Sequence, residues 1–166
     1  MAKQTDPVKL LMNKYQVTED EIIKPDEGEK LIIRKTGVLK VERREGIFCQ
    51  VHDVIVNSVT TKVGQEEAVH MTGEATLYNN CGFPIKKYQE AASATPENCT
   101  FSHKTEVCMN RLRARLVFGI LGLNNVMMSV DELVVTRAGK QENADKLSED
   151  LIKQAVDATG ATSNRL

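Results

Sequence analysis

The chemistry open to this chain is concentrated in its cations. Lys104, Arg111, Arg113 and Arg115 fall within a stretch, 103–123, whose apolar residues recur at helical spacing. Guanidinium groups there could hold phosphate as paired donors. Lys86 and Lys87 stand beside Tyr88 in a polar stretch, a pairing of charge and ring suited to phosphate contact with base stacking. Arg34, Lys35, Lys40, Arg43 and Arg44 make a third basic run. At about 100° per residue, Lys104, Arg111 and Arg115 share one narrow helical stripe, with Arg113 nearly opposite. The ordinary fate of such arginines is a surface salt bridge. Three basic runs on one unit point instead to a groove for a polyanion. The formal net charge is -1, so any such attraction is local.

Other chemistries find little support. There is no Gly-rich Lys-Ser/Thr phosphate loop and no Gly-x-Ser-x-Gly elbow, so neither a cofactor nor an enzyme is expected. His70 and Glu74 share a strand face and His103 stands near Glu106, yet no nucleophile, base and orienter come together. Cys81, Cys99, His103 and Cys108 form the sharpest metal alternative, as a Cys₃His zinc set, but Cys81 and Cys108 match no common pairing. Cys49 and His52 differ in strand parity and point to opposite faces.

The positioning elements read as a single α+β domain. The chain has 166 residues, 41% of them apolar and 27% charged. The N-terminus lacks the apolar core of a signal peptide and no run is long enough to span a bilayer, so a cytoplasmic protein with reduced cysteines is expected. Residues 7–24 read as helical, and Thr18 with Glu21 has capping-box spacing for a second short helix. Residues 30–41 read as a strand followed by another strand or a short helix. From Ile47 the odd positions carry Cys49, Val51, Ile55 and Val59, a long strand, although Phe48, Val54 and Val56 interrupt the other face. Gly64-Gln65-Glu66 is the expected turn, and Val69, Met71, Gly73, Ala75 and Leu77 form the returning strand. Residues 79–102 read as a loop, and 130–135 as a short strand. The helix over 103–123 is apolar on two flanks, so both must be covered, by the hairpin and by a second element or subunit. Leu147, Leu151, Ile152 and Val156 mark a further helix in the tail. The expected fold is thus an antiparallel β-β-β sheet with a long hairpin packed by the following helix, and extra helices at both termini. Residues 1–24 form an N-terminal helical segment, 25–138 the core, and 139–166 a helix and tail.

The helix runs from Lys104-Thr105-Glu106-Val107 through Leu112-Arg113-Ala114-Arg115-Leu116 to Phe118-Gly119, and follows a strand ending in Met71-Thr72-Gly73-Glu74-Ala75. In these motifs and in element order, residues 25–125 resemble the annealing core of the Rad-fifty-two superfamily, which includes phage single-strand annealing proteins. The resemblance implies a β-β-β-α core, assembly into homo-oligomeric rings or filaments, and ATP-independent annealing of complementary single-stranded DNA in homologous recombination. It also implies partners such as a single-strand-binding protein or an exonuclease, and for a phage protein a bacterial host cytoplasm. The family places adjacent basic residues in mid-helix. Here Arg113 matches the first, but Ala114 follows and the charge moves to Arg115. The expected DNA contacts are therefore Lys35, Arg43, Arg44, Lys86, Lys87, Tyr88, Lys104, Arg111, Arg113 and Arg115. A structural assembly protein, or a single-strand binder that does not anneal, is the alternative.

Overall fold

The computed structural model describes residues 6–24 and 29–133. Asp6 caps the first helix, α1 (Pro7–Tyr15), by accepting a hydrogen bond from the Val8 amide, and Pro7 supplies the preset φ of a first turn. Leu11 and Tyr15 on its inner face join the core. The capping box at Thr18 and Glu21 forms, but it opens only a 3-10 turn, Glu19–Glu21, which runs into β1 (Ile22–Ile23) instead of a second α-helix. Two β-branched residues in succession favour the extended form. Next come β2 (Leu31–Ile33) and α2 (Lys35–Glu45), so residues 30–41 are a strand followed by a helix.

The long hairpin is β3 (Ile47–Thr61) and β4 (Gly64–Tyr78). Thr61 pairs with Gly64, which places the turn at 62–63, earlier than the glycine signal at 64–66 indicates. Its register slips between Val51 and Asp53, leaving His52 as a bulge. This bulge accounts for the two-faced apolar pattern. Before it, odd residues face the helix (Cys49 opposite Ala75, Val51 opposite Gly73). After it, even ones do (Val54 opposite Met71, Val56 opposite Val69).

Residues 79–102 are not simply a loop. They contain β5 (Pro84–Ala94), which pairs antiparallel with β4 from Val69 to Tyr78 and completes the sheet β3-β4-β5. Lys86, Lys87 and Gln89 disguise it, because a two-sided polar edge strand gives no hydrophobic alternation. α3 (Lys104–Ile120) packs on β4 and β5. Gly73 lets it sit close, since a Cβ there would meet Gln50 O at 2.6 Å and Leu112 and Leu116 at 3.2 and 3.3 Å. The expected strand over 130–135 lies earlier, as β6 (Met127–Ser129), followed by a 3-10 turn at Val130–Glu132. β6 runs parallel to β2 in a second small sheet, β1-β2-β6, which covers the flank of α3 away from the main sheet together with α2. Both apolar flanks of α3 are thus covered within one chain: Val107, Leu112, Ala114, Leu116, Val117, Phe118 and Ile120 are all buried. The N-terminal elements contribute Leu11, Tyr15, Val17 and Ile22 to the same core cluster. The tail helix expected from 141 onward lies outside the described residues. No helix among those described is long and apolar enough to cross a membrane.

Candidate nucleic-acid interface

The basic stripe on α3 has its two sides in different surroundings. Arg111 is fully buried. Its Nε donates to Asp131 O at 2.8 Å, Nη1 to Ser93 O and to Asn98 Oδ1, and Nη2 to Asn98 O at 2.8 Å. Arg115 makes a two-pronged pair with Glu132, and its Nη1 donates to Ala91 O at 2.7 Å. Ala91 and Ser93 lie on β5, an edge strand whose outward carbonyls lack a neighbouring strand. The two guanidinium groups satisfy that edge. Lys104, also buried, donates to Phe101 O at 3.3 Å and lies 3.6 Å from Glu66. The expected placement of these three residues on one stripe is observed, but Lys104 and Arg111 face inward and the half-buried Arg115 is paired with Glu132.

Arg113 points the other way, toward α2. Its Nε lies 3.5 Å from Glu42 Oε2, too poorly aligned for a hydrogen bond, and both atoms are buried without one. Its Nη groups have no hydrogen-bonding partner among the described residues. Burial pushes the Glu42 carboxyl up while the Arg113 charge opposes the shift. Cys49 lies beside this pair, and burial together with the Glu42 charge pushes its thiol up to about 12, so it is no nucleophile at neutral pH.

Arg113 and Lys35 line an open cleft of about 470 Å³ between α2, the first half of α3 and the hairpin. Lys104, Met109, Asn110 and Glu67 complete its walls, with His103 and Glu106 at its N-terminal end. Lys35 is half exposed and only loosely paired, 3.3 Å from an exposed Glu106. Glu67 sits opposite Ser58 on the helix-facing side of the hairpin. One pleat further along that face are Val56 and Val54, which stay 52% and 51% exposed because α3 covers β4 and β5 and leaves β3 largely bare. The cleft therefore gathers Lys35, Lys104 and Arg113 with Glu67 and Glu106, and the exposed Val54 and Val56 lie on the same sheet face outside its lining.

The remaining basic residues lie elsewhere. Arg43 and Arg44 are exposed at the end of α2 and line a separate cleft with Tyr15, Gln16 and Lys40. Lys87 is on the outer sheet face, paired with Glu74 at 2.7 Å. Lys86 caps the C-terminus of α3 by donating to Ile120 O. Tyr88 is not a free stacking ring. It lies against Gly119, where a Cβ would come within 2.1 Å of it, and its hydroxyl donates to Glu90 at 3.0 Å and accepts from Asn124. Of the ten residues expected to meet DNA, the structure gathers Lys35, Lys104 and Arg113 around one cleft and commits Arg111, Arg115, Lys86, Lys87 and Tyr88 to contacts within the protein.

Family models, curated proteins and solved structures offer no match to the chain. Among the described residues no cluster of three or more His, Cys, Asp or Glu could hold a metal ion. The cysteines of the Cys₃His alternative are dispersed: Cys81 is exposed in a turn after β4, whereas Cys108 is buried with its Sγ against Val69 O and Ala92 O.

Proposed function

We propose that this protein binds single-stranded DNA in the cleft between α2, α3 and the hairpin, and anneals complementary strands without ATP as a homo-oligomer. The observation that carries the reading is that one open cleft brings Lys35 together with Arg113, whose Nη groups have no hydrogen-bonding partner among the described residues. Cations can hold phosphates without reading sequence. The exposed Val54 and Val56 on the same face of the hairpin offer unpaired bases an apolar surface, which a duplex does not need. The β-β-β-α order, β3-β4-β5 followed by α3, agrees with the annealing-core resemblance of the sequence.

The test is titration of a fluorescent oligothymidylate at increasing salt. Binding should weaken as salt rises, with a slope of about 0.7 per phosphate neutralised. Absence of binding at low salt contradicts the reading, and a mixing assay for complementary strands separates annealing from binding alone. A purely structural assembly role is favoured by one feature, the bare edge of β3, where Phe48, Ile55 and Val59 are exposed on the outer face. It predicts oligomers by light scattering that ignore DNA.

A further inference from the structure

Exposed aromatic rings cost solvation and are worth explaining when they come in ordered pairs. His103 lines the cleft, and Phe101 stacks on it with ring centroids 5.2 Å apart and planes 28° from parallel. Both residues are exposed, Phe101 by 46%. The core does not use the Phe101 ring. What the protein uses is its carbonyl, which accepts from Lys104 Nζ and from the buried Cys99 thiol. Those bonds tie down the connection between β5 and α3 and leave the two rings exposed, His103 at the end of the cleft that holds Lys35, Lys104 and Arg113 and Phe101 stacked on it.

We propose that the Phe101–His103 pair is a nucleobase-stacking platform. An unpaired base lies on the pair while Lys35 and Arg113 hold neighbouring phosphates. The inference rests on the cleft being the single-strand interface, and it adds how bases are met there. Stacking tolerates any sequence because every base has a π face, and it favours single strands because bases in a duplex already stack on each other. This gives the platform the stacking role that the sequence suggested for Tyr88, whose ring packs against Gly119.

The chain contains no tryptophan, so Phe101→Trp introduces a single reporter. Its emission is followed during titration with oligothymidylate and with an abasic oligonucleotide of the same length. The platform predicts quenching by thymidylate and little by the abasic strand, although both bind. Phe101→Ala should weaken thymidylate binding about fivefold or more and leave the abasic strand unaffected. Retention of wild-type thymidylate affinity in Phe101→Ala, or equal loss for both strands, overturns the platform while the cleft reading stands. If wild-type protein binds neither strand, or if it binds and Lys35→Ala leaves both affinities unchanged, the cleft reading fails and the platform with it.

Discussion

The two sides of α3 carry the same residue types to opposite ends. Arg111 and Arg115 face β5 and the turn after β6, where each guanidinium nitrogen donates to a carbonyl or a carboxylate. Arg113 faces α2, meets one carboxylate at a poor angle, and at an open cleft with Lys35 its Nη groups find no hydrogen-bonding partner among the described residues. Arginines whose donors complete a sheet edge, the buried Arg111 and the half-buried Arg115, belong to stability. Unsatisfied ones at a cleft are available to a ligand. The difference shows why a helical stripe of cations is not by itself a binding face: charge density is the same on paper, and only the acceptors opposite it decide.

The comparison is broken most severely at Arg111. Arg111→Ala should cost more than about 3 kcal/mol in denaturant melts, because Ser93, Asn98 and Asp131 each lose a buried partner. Arg111→Lys should recover little, since one ammonium cannot replace the fork. A loss below about 1 kcal/mol would mean that the stripe is not structural. Next in size is Gly119→Ala, which drives a methyl into the Tyr88 ring and should destabilise by about 1–3 kcal/mol; Tyr88→Leu should relieve part of that cost in a double-mutant cycle.

The open side is held in place by α2, and α2 is tied to the N-terminal turn by Lys40 and Glu21, 2.7 Å apart. Burial disfavours the Glu21 carboxylate, but Lys40 with the Thr18 and Thr36 hydrogen bonds outweighs it and lowers its pKa to about 2. A folded pKa below the ordinary value of 4.5 stabilises the protein above pH 4.5, and the gain is lost as pH falls toward 2. Allowing for solvent screening, it is on the order of 1–2 kcal/mol. Glu21→Gln should therefore flatten stability between pH 4.5 and 2, as read by chemical melts; an unchanged acid limb would show that the pair does not anchor α2. The smallest stability effect is expected at Lys35→Ala, within about 0.5 kcal/mol, while the salt slope of oligonucleotide binding should fall by about 0.7.

Much of this was legible in the sequence. The hairpin, α3 and the opposition of Arg113 to the Lys104–Arg111–Arg115 stripe follow from periodicities of two and 3.6. β5 was not legible, because Lys86, Lys87 and Gln89 on an edge strand are free to be polar and its partner is β4, distant information that no local pattern carries. The bulge at His52 was visible only as apolar residues on the wrong parity, Val54 and Val56, and pairing was needed to interpret them. The fate of each arginine was illegible for the same reason. Asn98, Asp131 and Glu132 reach Arg111 and Arg115 through tertiary contacts. Phe101 and His103 carried a signal that could have been read, an aromatic and a histidine two residues apart beside Lys104.

The most direct test of the central claim sets charge reversal on the two faces against each other. Lys35 lines the cleft, whereas Lys87 lies on the outer sheet face, and both are exposed. With labelled oligothymidylate at low salt, Lys35→Glu should weaken binding at least about tenfold. Lys87→Glu should leave it within about twofold. Equal effects from the two, or a loss confined to Lys87→Glu, would contradict the assignment of the cleft.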